Sequence, residues 1–384
     1  MIYLDTSATT TPLPEVAAAM EYVRDVVNPG SIHRGGQRAR TLLEEARTTV
    51  AEALGTPPRT LIFTSGGTEA NNAALKGMAF RTWRETGRWP AILAPATEHH
   101  AVLHVLEYLA ALGAPVEILP VDREGRLSPD LLHHTLSLLP HNPPPIVAVM
   151  HANNETGTIQ PIGEIAAVVH EAGGVLHCDA VQSFGKIPVT VPDLAVDTLA
   201  ISAHKLHGPR GIGALVARDG VALDPLLHGG AQERRRRAGT EPVQLAVGFA
   251  EAVRHAMDGM AEREAAFRSL LAQLREGIAG IEGAEIVTPQ SATLPTVINV
   301  TFTDAARLDG EGLIAGMDLE GVAVSNGSAC TSGSQQPSHV LLAMGRPPEQ
   351  ARAAVRFSLG RFTTSGEIAA ATAALEHVLE RMRA

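Results

Sequence analysis

Lys205 ends "TLAISAHK", an apolar strand-like run, and the turn formers Gly208 and Pro209 follow it. A lysine so placed either snorkels to solvent or is chemically employed. Desolvation lowers its pKa and frees the amine to bond a carbonyl carbon. Asp179 sits at the end of a second apolar run in "GVLHCDAVQS", with Gln182 three positions on. A carboxylate there is costly to bury unless it meets a positive partner. A protonated ring nitrogen would serve, and capping a helix is the plainer use. "FTSGGTEANN" leaves a strand, turns through Gly66 and Gly67 and enters a helix at Thr68. Backbone N–H groups at that helix start, with the Ser65 and Thr68 hydroxyls, make a cradle for phosphate. A glycine turn with a helix cap is the bland alternative, and the spacing is neither a Walker loop nor GxGxxG. His99 in "TEHHAV" suits packing on a flat ring or a structural role. His100 and His104 share i, i+4 spacing but lack a Glu or Cys at metal-site spacing, so no metal is expected.

Phosphate cradle, acidic strand end and strand-end lysine, in that order, are what pyridoxal phosphate requires of a protein. A further reactive group stands apart. Cys330 lies in "SNGSACTSGS", where every neighbour is small or polar. Free cysteine usually behaves as a small buried hydrophobe, and this stretch does not read as core. Cys178, alternating away from Asp179 along its strand, does.

The elements that must position these groups read as strands alternating with helices. "TLIFTSGG", "AILAPATEHH", "PVEILPVD", "IVAVMHANNETG", "GVLHCDAVQS", "TLAISAHK" and "GIGALVARDG" are buried strands that end in polar or glycine-rich loops. "PIGEIAAVVHEAGG" carries Ile162, Ile165, Ala166 and Val169 at helical spacing, with Gly173 as a stop signal. Alternation of this kind predicts an α/β fold with a mostly parallel sheet covered on both faces. Ligands then gather at the carboxyl ends of the strands. Residues 241 to about 280 read as one long helical stretch. "TVINVTF", "VAVSNGS" and "AVRFSLGRF" supply strands of a smaller α+β lobe, which the first dozen residues are expected to join. The expected division is a large domain over 16–255 and a small domain over 1–15 and 256–384, the latter carrying a pliable cysteine loop at about 325–335.

At 384 residues the chain is long enough for two lobes. A hydrophobic fraction of 45% with 19% charged residues fits a soluble globular protein. Two cysteines cannot frame a disulfide scaffold, which fits a reducing compartment. Neither a secretory signal nor a run of about 18 apolar residues is present, so a cytoplasmic protein without membrane attachment is expected. A net charge of −10 disfavours nucleic acid. Arg234 to Arg237 form a local basic knot that reads as a solvated loop, an inter-subunit salt-bridge site or an anion site near a phosphate.

The ordered motifs resemble the class V group of pyridoxal-phosphate enzymes with the aspartate aminotransferase-like fold, and most closely the NifS/IscS-type cysteine desulfurases. "YLDTSATTTP", "NPGSIHRGG", "FTSGGTEANN", "TEHHAV", "HANNETG", "HCDAVQS", "SAHKLHGPRG", "RAGTEP", "SNGSACTSGS" and "VRFSLGRFTT" carry the resemblance nearly end to end. It implies that Lys205 bonds the cofactor, Asp179 pairs with the ring nitrogen, and Gln182 bonds the ring hydroxyl. His99 would stack on the ring and move protons. Gly67, Thr68, Ser202 and His204 would hold the phosphate, with Thr240 reaching it from the partner subunit of a homodimer. Asn154 would approach cofactor and substrate, and Arg356 would clamp the substrate carboxylate. Cys330 would take sulfur from L-cysteine as a persulfide and pass it to an acceptor, such as an iron–sulfur scaffold or sulfur-relay protein. A selenocysteine lyase or another pyridoxal-phosphate β-lyase is the alternative, and a non-catalytic scaffold a third. Gln232 stands where many relatives carry histidine, which leaves the contacts of that loop open.

Overall fold

The computed structural model describes residues 1–140, 142–327 and 336–384. Cys330 and most of the expected loop at 325–335 therefore lie outside the described residues.

After a short first strand, β1 (Ile2–Tyr3), the chain builds a seven-stranded sheet. Its members are β2 (Leu61–Thr64), β3 (Ile92–Pro95), β4 (Val116–Leu119), β5 (Ile146–Met150), β6 (Val175–Asp179), β7 (Thr198–Ser202) and β8 (Gly213–Ala217). Their spatial order is β2-β8-β7-β6-β5-β3-β4. The pairs from β4 through β7 are parallel, and β8 runs antiparallel to both of its neighbours. Each of the seven apolar runs falls on one of these strands. Edge strand β4 alternates least cleanly, leaving Glu117 and Ile118 exposed.

Side chains alternate between the two faces of a strand, and the core divides accordingly. Leu61, Phe63, Leu93, Val147, Leu176, Leu199 and Ile201 face the helices Arg34–Ala53, Ile162–Glu171 and Val243–Met257. Ile62, Ile92, Ala94, Ala148, Ala200 and Leu215 face the helices Gly67–Thr86 and His100–Ala111. With both faces covered, β5, β7 and β8 are buried throughout. Functional side chains can then emerge only at or beyond the strand ends.

A second sheet holds β9 (Ala284–Ile286), β10 (Val297–Phe302) and, beyond β11 (Val322–Ala323), strand β12 (Val355–Ser358), in the order β12-β10-β9. β1 pairs in parallel with β11, and Leu4 packs with Leu271, Ile298, Phe302, Phe357 and Leu375. The single helical stretch expected over 241–280 is corrected to two helices, Val243–Met257 and Met260–Ala279. Gly259 breaks it at φ 61°, a left-handed backbone that glycine adopts without steric cost. "VAVSNGS" is likewise reduced to a two-residue strand, because Ser325 leaves β11 to bridge Arg356.

Candidate active site

A cavity of ≈ 250 Å³ opens where β5, β6 and β7 end. Gly67, Thr68, His99, Asn154, Asp179, Gln182, Ser202, His204, Lys205 and Arg356 all line it. The sequence had scattered these ten residues over 290 positions; strands of the large sheet whose carboxyl ends point the same way gather most of them, and Arg356 comes from β12 of the second sheet. Lys205 sits on a 3-10 turn directly after β7, and its Nζ donates to the carbonyls of Ser7 (2.5 Å) and Ala8 (2.8 Å). Thr240 is exposed and is not among the residues lining this cavity of its own chain.

Asp179 is held by a relay that the sequence reading missed. Its Oδ2 accepts from Asn71 Nδ2 at 2.6 Å and its Oδ1 from the Val181 N–H at 3.0 Å. Asn71 Oδ1 pairs in turn with His177 Nε2 at 2.9 Å, and His177 Nδ1 with the Thr198 hydroxyl at 2.8 Å. Burial lowers His177 to a pKa of about 3, so the ring is neutral and one of its nitrogens donates. Two signals were available. Asn71 lies four residues after Gly67 on the same helix face, and His177 shares a strand face with Asp179 at i, i−2.

His99 caps the helix His100–Ala111, its Nδ1 accepting the Ala101 N–H at 3.0 Å. In the neutral ring the proton therefore resides on Nε2. Burial is the largest cause lowering its pKa, with Lys205, His339 and His104 adding and Asp179 opposing. His100 stacks on His104 with centroids 4.8 Å apart and lies 4.5 Å from the ring of His339. Next to His99, Glu98 is fully buried and accepts the Met150 N–H at 2.6 Å. Burial pushes its carboxyl well above the usual range.

Arg356 is almost wholly buried on β12. Its guanidinium donates to Asp5 Oδ1 (2.7 Å) and to the Asn154 carbonyl (3.1 Å), while Nε has no partner among the described residues. The partnership with Asp5 was not foreseen. In the basic knot, Arg237 pairs with Glu69 in the first turn of the helix that begins at Gly67 (2.9 Å). Arg236 donates to the Arg59 carbonyl at 2.7 Å. Glu233 makes a buried two-point pair with Arg47, at 2.7 and 2.9 Å. Glu233, Arg234 and Arg235 all have positive φ, and this pair holds the strained turn in place.

The cavity fits pyridoxal phosphate. The helix Gly67–Thr86 starts at Gly66 with no side-chain cap, so its first N–H groups remain for an anion. Ser202 Oγ, buried beside them, has no hydrogen-bond partner among the described residues. A Cβ at Gly67 would lie 2.6 Å from Val181 Cγ2, so glycine alone lets the chain approach this closely. Asp179 can face a ring nitrogen, and Lys205 shares the same cavity.

Mixed seven-stranded sheet, smaller second sheet and a lysine at a strand end define the fold of the pyridoxal-phosphate-dependent transferases. The chain belongs to the aminotransferase class-V family, whose model matches residues 2–370. It is 43% identical over 387 residues to the cysteine desulfurase IscS of Dictyoglomus turgidum, covering 100% of this chain and 95% of that one. To IscS of Methanosarcina thermophila it is 40% identical, with 100% and 93% covered. Among solved structures, a NifS-like protein superposes with a TM-score of 0.90 at 35% identity, over 99% of both chains. SspA in complex with cysteine superposes with a TM-score of 0.81 at 32% identity, over 95% of this chain and 100% of that one.

Proposed function

We propose that this chain is an L-cysteine desulfurase, which releases L-alanine and retains the sulfur as a persulfide on Cys330 for transfer to an acceptor protein. The observation that carries the reading is the convergence of Lys205, Asp179, His99, Ser202 and Arg356 on one cavity whose wall also includes Gly327. Cys330 follows Gly327 by three residues, and three residues span at most about 11 Å.

Pyridoxal phosphate, when bound, supplies an electron sink for the substrate's α-carbon. Lys205 would hold it covalently, Asp179 would keep its ring nitrogen protonated, and Gln182 would meet its ring oxygen. Gly67, Thr68, Ser202 and His204 would hold the phosphate. Asn71, by donating to Asp179, keeps that carboxylate aimed. Arg356 lines the cavity, already holds the Asn154 carbonyl, and would meet the substrate carboxylate. His99 presents its Nε2–H as a donor, because its Nδ1 accepts from the helix, and moving protons would require that cap contact to be released so that the tautomer can shift. The Cys330 thiolate forms a bond to the substrate sulfur as the carbon–sulfur bond breaks. That electron pair passes to the carbon skeleton, which collects protons and leaves as alanine. No external oxidant or reductant is needed.

The homodimer is part of the same proposal. An exposed Thr240, outside the cavity of its own chain, is what a residue serving the partner's phosphate requires. The division into 16–255 and 1–15 with 256–384 is supported by the separate packing of Leu4 with Leu271 to Leu379. For the acceptor, an iron–sulfur scaffold or sulfur-relay protein in the cytoplasm is our reading. Among the described residues, no helix is long and apolar enough to cross a membrane.

Mass spectrometry after incubation with L-cysteine tests the reading. One added sulfur on Cys330, absent from Cys330→Ala together with turnover, is expected. Undiminished sulfide release by Cys330→Ala would overturn it. Activity of that variant with selenocysteine alone would favour a lyase.

A further inference from the structure

Lys186 has no part in the roles above, yet it touches one of the residues that does. It follows Gln182 by four positions on the stretch after β6, and its Nζ donates to Gln182 Oε1 at 2.8 Å. The amide oxygen can only accept, so the lysine Nζ is the donor in this contact. The other end of the amide is fixed independently. Gln182 Nε2 donates at 2.9 Å to the Ser7 carbonyl, the same oxygen that receives Lys205 Nζ. A carbonyl oxygen only accepts, so the two contacts agree on the orientation.

The surroundings of Lys186 are cationic. Lys205 and Arg356 face it, and after burial they are the causes that bring its pKa down to about 7. His204 and His207 face it as well but add no charge at neutral pH, because burial lowers both, His204 to about 4. A cavity of ≈ 40 Å³ behind the site is lined by Lys186, Lys205, His207, Arg263 and Arg361. An electron-rich group placed at Gln182 therefore meets an N–H donor backed by positive charge, and anionic acceptors make the stronger hydrogen bonds.

We propose that Lys186 is a positioning residue, which locks the Gln182 amide with its N–H end toward the cavity and so selects the ionised form of the cofactor's ring oxygen. The inference rests on the pyridoxal-phosphate reading of the site. A ring oxygen that takes the place of the Ser7 carbonyl at Nε2 removes one of the two constraints on the amide, and Lys186 is the one that remains. Without it the amide can turn over and present its oxygen, which favours a protonated ring oxygen instead.

The test uses the full-length protein loaded with pyridoxal phosphate, and follows the absorbance of the lysine-bound cofactor against pH. In Lys186→Met the midpoint should rise by about one pH unit, a tenfold gain in proton affinity. In a Gln182→Ala background the same substitution should move it by less than half as much, since Lys186 acts through the amide. Lys186→Ala serves as the second variant should the methionine protein not fold, with the same upward shift expected. An unchanged midpoint would overturn the inference, as would an equal shift with and without Gln182. Failure of the unsubstituted protein to develop a lysine-bound cofactor band would sink the underlying reading instead, which separates the two.

Discussion

Gly67→Ala probes the phosphate cradle at its tightest point. A Cβ there would stand 2.6 Å from Val181 Cγ2 and 3.7 Å from Ser202 Cβ. Carbon atoms in contact prefer about 3.5–4.0 Å, so the helix start or the Val181 turn must move by about 1 Å. An N–H donor displaced that far passes from about 2.9 Å to well beyond hydrogen-bonding distance. Losing one such bond to a charged acceptor costs about 1.5–3 kcal/mol. Affinity for pyridoxal phosphate should then fall about 10- to 150-fold. Absorbance titration of the apoprotein measures this, and thermal unfolding of the apoprotein separates lost affinity from lost fold. Val181→Ala removes the clashing methyl, so the double variant should recover most of the affinity. An unchanged Kd in Gly67→Ala, or a double variant no better than the single one, would refute the placement of the phosphate at this helix start.

Asp179→Asn should keep the Val181 contact yet lose the negative charge. Turnover is expected to drop about 10²–10³-fold, with cofactor affinity changing much less; equal losses in both would show that Asp179 only binds. Acid should destabilise the fold through two buried histidines, His151 at a pKa of about 4 and His177 at about 3, both lowered by burial. Their folded values lie below the ordinary value near 6.5. The unfolded chain therefore binds protons that the folded one refuses, and this stability is whole above pH 6.5 and lost as pH falls. Between about pH 6 and 4 the pair should cost about 2 kcal/mol per pH unit. Urea midpoints across that range check the slope, and His177→Gln should remove about half of it.

Residues 61–217 declared their architecture in one dimension. Apolar runs such as "IVAVM" and "TLAIS" are too short for helices and too continuous for surface strands, so a sheet covered on both faces follows from composition alone. The polar residues just beyond them had to converge, because parallel strands share one carboxyl edge. Lys205, Asp179, His99 and the Gly67 turn were legible for that reason. Helix breaking at Gly259 was not, since glycine is tolerated within helical patterns and only its φ of 61° decides.

Tertiary structure alone supplied the partners. Asn71 reaches Asp179 across 108 positions, Gln182 reaches Ser7 across 175, and Arg356 reaches Asp5 across 351. A hydrogen bond depends on donor and acceptor meeting within about 3 Å, and no periodicity along a chain encodes such a meeting. Residue type told which groups can do chemistry. Which end of an amide faces the cavity, and which carboxylate holds a guanidinium, were settled only when the chain closed on itself.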